Sequence, residues 1–329
     1  MKRTMKTLLV LLVALALLSL GSVAALGETV AITYVSAQGR TQMPMNCTVV
    51  TSSEFATWSE GWYAVTESGV KISGGTGDTP SVTVSGKVNL ILCDGASLET
   101  HNGLYVPKGS SLTIWAQSTG NDMGKLIAGY HKSSTSAGFN AGIGGVNGKV
   151  AGAIIINGGD ISAKVVYGAG IGGGYGENSG YTSIEINGGK VVAYGNDNGA
   201  GIGPGRTNQT IGRITITGGS VDAQGSGAFA AIGSPESGAK VVITGGKVDA
   251  GPGFHGSGYG IAAGTITISA DTAVEGDYIK AIGNKSGIRG EKITITGGNI
   301  EASIEEDGKG CGINIPEGSS NALTISGAR

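Results

Sequence analysis

The chain has 329 residues, 63 of them glycine, with 14% charged residues and a formal net charge of −2 at pH 7. Collagen needs glycine at every third position and disorder needs few β-branched residues; neither holds here, so the glycines punctuate a β structure. Setting aside Lys2, Arg3 and Lys6 leaves 19 basic against 24 acidic residues, which excludes the positive surplus that nucleic-acid phosphates attract.

In chain order, the first element is a leader. Lys2, Arg3 and Lys6 precede an apolar run from Leu8 to Leu20 broken only by Ser19, and "SVAA" supplies small residues for cleavage after Ala24 or Ala25. That run is shorter than the ~20 residues a membrane span needs. Residues 1–25 therefore read as a secretory signal peptide, which places the mature chain outside a bacterium, secreted or at its surface, with no integral membrane segment. Cys47, Cys93 and Cys311 are an odd number and too few for a disulfide scaffold, so the expectation is one pair at most.

Residues 26–66 are predicted to form an N-terminal cap in which Trp58, Trp62 and Tyr63 pack as core. From residue 67 onward strands separated by turn residues lead into a repeat. "AGIGG" stands at Ala141 and Ala169, followed by "AGIGP" from Ala200, "AAIGS" from Ala230, "YGIAA" from Tyr259, "KAIGN" from Lys280 and "GCGIN" from Gly310. Between them run "IIINGGDISA" from Ile154, "IEINGGKVVA" from Ile184, "ITITGGSVDA" from Ile214, "VVITGGKVDA" from Val241, "ITISADTAVEG" from Ile266 and "ITITGGNIEA" from Ile293. The Gly pairs recur in steps of 30, 30, 27 and 52, a solenoid period.

Within "ITIT" the alternation puts Ile214 and Ile216 on one face and Thr215 and Thr217 on the other; after the Gly-Gly bend Val221 and Ala223 point inward again. No long stripe of helical period follows residue 26. One unit cannot bury its apolar edge alone, so the units must stack, and the predicted fold for 67–329 is an all-β, right-handed parallel β-helix. The G-x-G-x-x-G of Gly168, Gly170 and Gly173 is then a coil corner, because no helix can start in the "GYGENSGYTSIEI" that follows, as a dinucleotide loop requires.

The segments "EGWYAV", "GKVNLILCDGASLE" and "SSLTIWAQSTGNDMGKLIA", with the tandem "AGIGG…ITITGG" units, resemble the glycine-rich extracellular repeat proteins of gut Firmicutes. More distantly they are similar to β-helical carbohydrate-binding domain proteins that bind acidic polysaccharides with calcium. That resemblance implies a secreted or surface-attached module whose partner is a polysaccharide or a host or cell-surface glycan.

Two sets of candidate site residues come from the repeat alignment. One outward column reads Ser162, Val192, Asp222, Asp249, Glu275, Glu301, and its four stacked carboxylates, Asp222, Asp249, Glu275 and Glu301, form a candidate row of hard oxygen ligands for calcium. Tyr167, Tyr175, Tyr181, Tyr194 and Tyr259, with Phe229 and Phe254, fall in or beside the glycine loops, where exposed rings make stacking platforms for sugars. His101, His131 and His255 are scattered and no singular acid cluster interrupts the repeat. The expected role is a non-catalytic, adhesin-like or polysaccharide-binding rod, with a polysaccharide lyase or glycoside hydrolase on the same scaffold as the alternative.

Overall fold

The computed structural model describes residues 28–75, 77–129, 138–197, 199–206, 212–236, 238–270, 276–306, 308–319 and 323–328. The predicted signal peptide, 1–25, lies outside these residues, as do Glu275, His131 and the side chains of Phe254 and His255. Every regular element described is a strand, and no helix among the described residues is long and apolar enough to cross a membrane.

The strands form three parallel ladders, which makes the chain the expected parallel β-helix. The first ladder runs through Gly61–Val65, Lys87–Leu92, Ser111–Ala116, Ala151–Ile156, Tyr181–Ile186, Arg213–Ile216, Lys240–Ile243, residues 265–268, residues 292–295 and Leu323–Ile325. The second runs from Val70–Ile72 through Ser97–Thr100, Lys125–Ala128, Asp160–Lys164, Lys190–Tyr194, residues 220–224 and 247–250 to Tyr278–Gly283 and Ile300–Ile304. The third runs from Ala56–Trp58, Val82–Val84 and Leu104–Tyr105 through the short "IG" strands Ile143–Gly144, Ile171–Gly172 and Ile202–Gly203. It continues through Ile232, Ile261 and Ile288 and ends at Cys311–Asn314.

Stacking in register builds the core. Leu112, Ile154, Ile184, Ile214, Val241 and Ile266 lie one above another, as do Ile114, Ile156, Ile186, Ile216, Ile243 and Ile268, and all are buried. Each such side chain contributes about 1.5–3 kcal/mol of burial. The second ladder alternates a branched stack (Ile161, Val191, Val221, Val248, Ile279) with an alanine stack (Ala163, Ala193, Ala223, Ala250, Ala281). Beside the alanine stack the third ladder turns in so close that only glycine fits: a Cβ on Gly170 would lie 2.7 Å from the Ala163 carbonyl oxygen and 2.8 Å from that of Gly201.

The corner after the first ladder explains the Gly pairs. The second glycine of each, Gly159, Gly189, Gly219, Gly246 and Gly298, has φ between +83° and +104°, a region that side chains disfavour. Polar side chains join successive corners: Asn187 Nδ2 donates to Asn157 Oδ1 at 3.0 Å, and Thr217 Oγ1 to Asn187 Oδ1 at 2.6 Å.

At the N-terminal end Thr29–Ile32 pairs antiparallel with Met45–Val49, which pairs parallel with Gly61–Val65. Trp58 is buried and stacks on Tyr63 at 5.3 Å, while Trp62 packs with Tyr34 and Trp115. The ladders thus include Ala56–Trp58 and Gly61–Val65, upstream of residue 67. Cys47 and Cys93 are buried thiols and Cys311 an exposed one.

The structure corrects the repeat alignment at "KAIGN". Residues 280–283 belong to the second ladder, and the "GI" of the third-ladder strand on that rung is Gly287 and Ile288. Val248 follows Ile243 by five positions, whereas Ile279 follows Ile268 by eleven, so an insertion displaces the spacing. Ile186→Ala is expected to lower stability by about 2–5 kcal/mol, read from urea unfolding, because neighbours above and below cannot close the gap.

Candidate functional site

The outward face of the second ladder carries a column of side chains that reads Ser162, Val192, Asp222, Asp249, Lys280, Glu301. Lys280 occupies the place that the sequence alignment gives to Glu275, so the expected row of four carboxylates is interrupted. Lys280 Nζ lies 3.8 Å from Glu301 Oε1, while Asp222 and Asp249 remain neighbours on adjacent rungs. Among the described residues no group of three or more His, Cys, Asp or Glu is placed to hold a metal.

Both aspartates accept a hydrogen bond from a phenol. Tyr194 donates to Asp222 Oδ2 at 2.8 Å, and Tyr278 donates to Asp249 Oδ2. Burial, then the Asp222 bond and charge, push the Tyr194 phenol up to about 12. For Tyr278 the Asp249 bond comes first, then burial and the two carboxylate charges, again to about 12.

The five candidate tyrosines separate into distinct places. Tyr181 is fully buried, its hydroxyl without a hydrogen-bond partner and its pKa raised by burial, so it is no ligand platform. It opens a first-ladder strand directly against Ala151, whose small side chain leaves room for the ring. Tyr167 and Tyr175 come together with Phe139, ring centroids 5.0–5.6 Å apart, and the Arg206 guanidinium lies 5.0 Å over the Tyr175 ring. Asp78 ties that cluster down from an earlier rung: Phe139 N donates to Asp78 Oδ1 and Asn147 Nδ2 to Oδ2, and Tyr175 N donates to Phe139 O.

Tyr194 stands one rung from Lys164, whose ammonium is 4.2 Å from the ring centroid. Tyr259 has Arg289 at 5.2 Å and Lys285 at 5.8 Å. Phe229 is half-buried in the strand Ser220–Gly233. Among the described residues, none of the cations over these rings makes an ion pair.

Tyr194 also lines a groove of about 460 Å³ with Lys164, Asn196 and Gln224. An aromatic face, two amides and a cation converge there, a combination that can stack on an apolar surface while bonding hydroxyls or an anion. Phe139, Asp78, Lys164 and Asn196 are not among the residues that the sequence singles out. Lys164 leaves a signal there, since aligning "SAKVV" with "VAYGN" puts it beside Tyr194; Asp78 leaves none, because its partners are 61 and 69 residues away.

A family model described as a beta helix repeat matches residues 184–206 and 214–238, segments that include Tyr194, Arg206 and Asp222. No curated protein and no solved structure matches the chain.

The unfolded chain releases the Tyr194 and Tyr278 protons near pH 10 and the folded chain near 12, so these two groups make stability fall as pH rises through that interval. The expected result is a lower melting temperature at about pH 11 than at about pH 9. Asp222→Asn should bring the Tyr194 titration, followed by ultraviolet absorbance, part of the way down toward the ordinary value, burial holding the remainder.

Proposed function

We propose that this β-solenoid is a secreted or cell-surface, adhesin-like module that binds a polysaccharide through the outward side of its second ladder and the corner beyond it. The observation that carries this reading is the groove in which the Tyr194 ring, tethered by Asp222, lies beside Lys164, Asn196 and Gln224. A pyranose has an apolar face bordered by hydroxyls, so a tethered ring with amides beside it matches both features. Cations over Tyr194, Tyr175 and Tyr259 favour sugars bearing carboxylate or sulfate. The apolar run at residues 8–20, preceded by basic residues, supports export, and weak contacts repeated along rungs gain strength on a repeating ligand.

Binding of the full chain to a glycan array tests this. Tyr194→Ala is expected to weaken binding about tenfold, equivalent to ~1.4 kcal/mol. Undiminished binding by that variant removes the groove from the reading. Running the array with and without calcium tests whether Asp222 and Asp249 bridge a cation to an anionic sugar; equal signals remove calcium.

The catalytic alternative would take its two acids from Asp222 and Asp249, whose backbones pair on adjacent rungs. On that reading, incubation with polygalacturonate or xylan releases reducing ends, and Asp249→Asn abolishes the release. Absence of product from the parent chain rejects it.

A further inference from the structure

A second groove, of about 700 Å³, lies on the same corner toward the C-terminal end, lined by Pro252, Ile282, Asn284, Ile304, Glu305 and Lys309. Its Pro252 is the chain neighbour of Gly253, which lines the Tyr194 groove. Both are built from the same place in the repeat. After the alanine stack Ala163, Ala193, Ala223, Ala250 and Ala281, the next residue on each rung is Lys164, Tyr194, Gln224, Gly251 and Ile282. Lys164, Tyr194 and Gln224 line one groove and Ile282 the other.

Three residues past the same alanines stand Val166, Asn196, Ser226, Gly253 and Asn284. Asn196 Oδ1, Ser226 Oγ and Asn284 Oδ1 are shielded from solvent and have no hydrogen-bond partner. Buried polar atoms are rarely left so, and these three stand at the same sequence offset past the alanine stack. Asn196 and Asn284 line the two grooves, and rotation about the soft terminal torsion of an asparagine can turn its oxygen toward an arriving hydroxyl.

We infer that the two grooves form one trough, and that its ligand is a linear polysaccharide lying along the solenoid axis, bound over about five sugar units; this rests on the glycan reading above. From Lys164 to Ser303, the partner of Ile282, is five rung steps, about 24 Å, and a sugar of an extended chain advances by about one such step, ~5 Å. The ends differ chemically, Lys164 and the Tyr194 ring at one and Ile282, Ile304, Glu305, Glu306 and Lys309 at the other, so the polymer binds in one direction.

Calorimetric titration of the full chain with oligogalacturonates from dimer to octamer, and with neutral xylo-oligosaccharides of the same lengths, tests the trough. Affinity is expected to rise with each added unit to about the pentamer or hexamer and then level, the hexamer binding at least ~100-fold more tightly than the dimer. Tyr194→Ala should weaken every length, whereas Asn284→Ala and the exposed-site variant Lys309→Ala should weaken the hexamer and leave the dimer unchanged. Affinity that levels at the dimer or trimer, or hexamer binding unaffected by both Asn284→Ala and Lys309→Ala, overturns the trough and leaves glycan binding standing. Failure of every oligomer in both series overturns both.

Discussion

In a parallel, in-register stack each side chain has its counterpart about 4.8 Å away on the next rung, and it cannot escape that neighbour. For apolar residues this is favourable, and the isoleucine stacks through Ile154, Ile184 and Ile214 follow from it. For charged residues on the outer face it is a problem, since like charges directly opposite destabilise. The outward column of the second ladder meets it with Lys280 between Asp249 and Glu301. Asp222 and Asp249, which do stack, each accept a tyrosine hydroxyl instead. The raised tyrosine pKa values reflect that arrangement, through burial first and then the Asp222 carboxylate for Tyr194, and through the Asp249 bond first and then burial for Tyr278.

The same constraint makes the fold legible in the residues themselves. Period-two alternation in "ITIT", Gly-Gly at a regular interval and a lone Ile in "GIG" identify three strands and their corners, and the register pairs Ile184 with Ile214 and Val191 with Val221 as the alignment implies. Where the interval breaks, the pattern misleads. The extra residues between Ile268 and Ile279 shift the outward column by several positions, so alignment selects Glu275 where Lys280 stands. A local pattern reports the direction of a side chain, whereas an insertion changes which rung position it occupies.

The candidate site is legible only where it lies in the strands. Asp222 and Asp249 follow from alternation, whereas Tyr194, singled out as a ring beside a glycine loop, closes the strand Lys190–Tyr194. Tyr181 sits beside a glycine-rich loop in sequence, yet it begins a strand and points inward over Ala151, a distinction that residue type alone does not make. The Phe139, Tyr167 and Tyr175 cluster depends on Asp78, which belongs to an earlier rung, and such contacts between loops leave no periodic trace.

Rigidity and openness have one origin in this molecule. The alanine stack brings the second and third ladders together so closely that Gly170 and Gly201 can carry no Cβ, which fixes the backbone at that corner. Just outside it, Gly251 has open space where a side chain would stand, whereas Gly195 and Gly253 lie against the backbone carbonyls of Ala200 and Gly225, and the grooves open beside them. A binding surface placed on this corner is therefore preorganised by the core beneath it: the backbone of Tyr194 and Gly195 is held by neighbouring rungs, and little ordering remains when a ligand arrives. Sites at the same corner repeat with the rungs, so a ligand with its own repeat near ~5 Å can meet them in sequence.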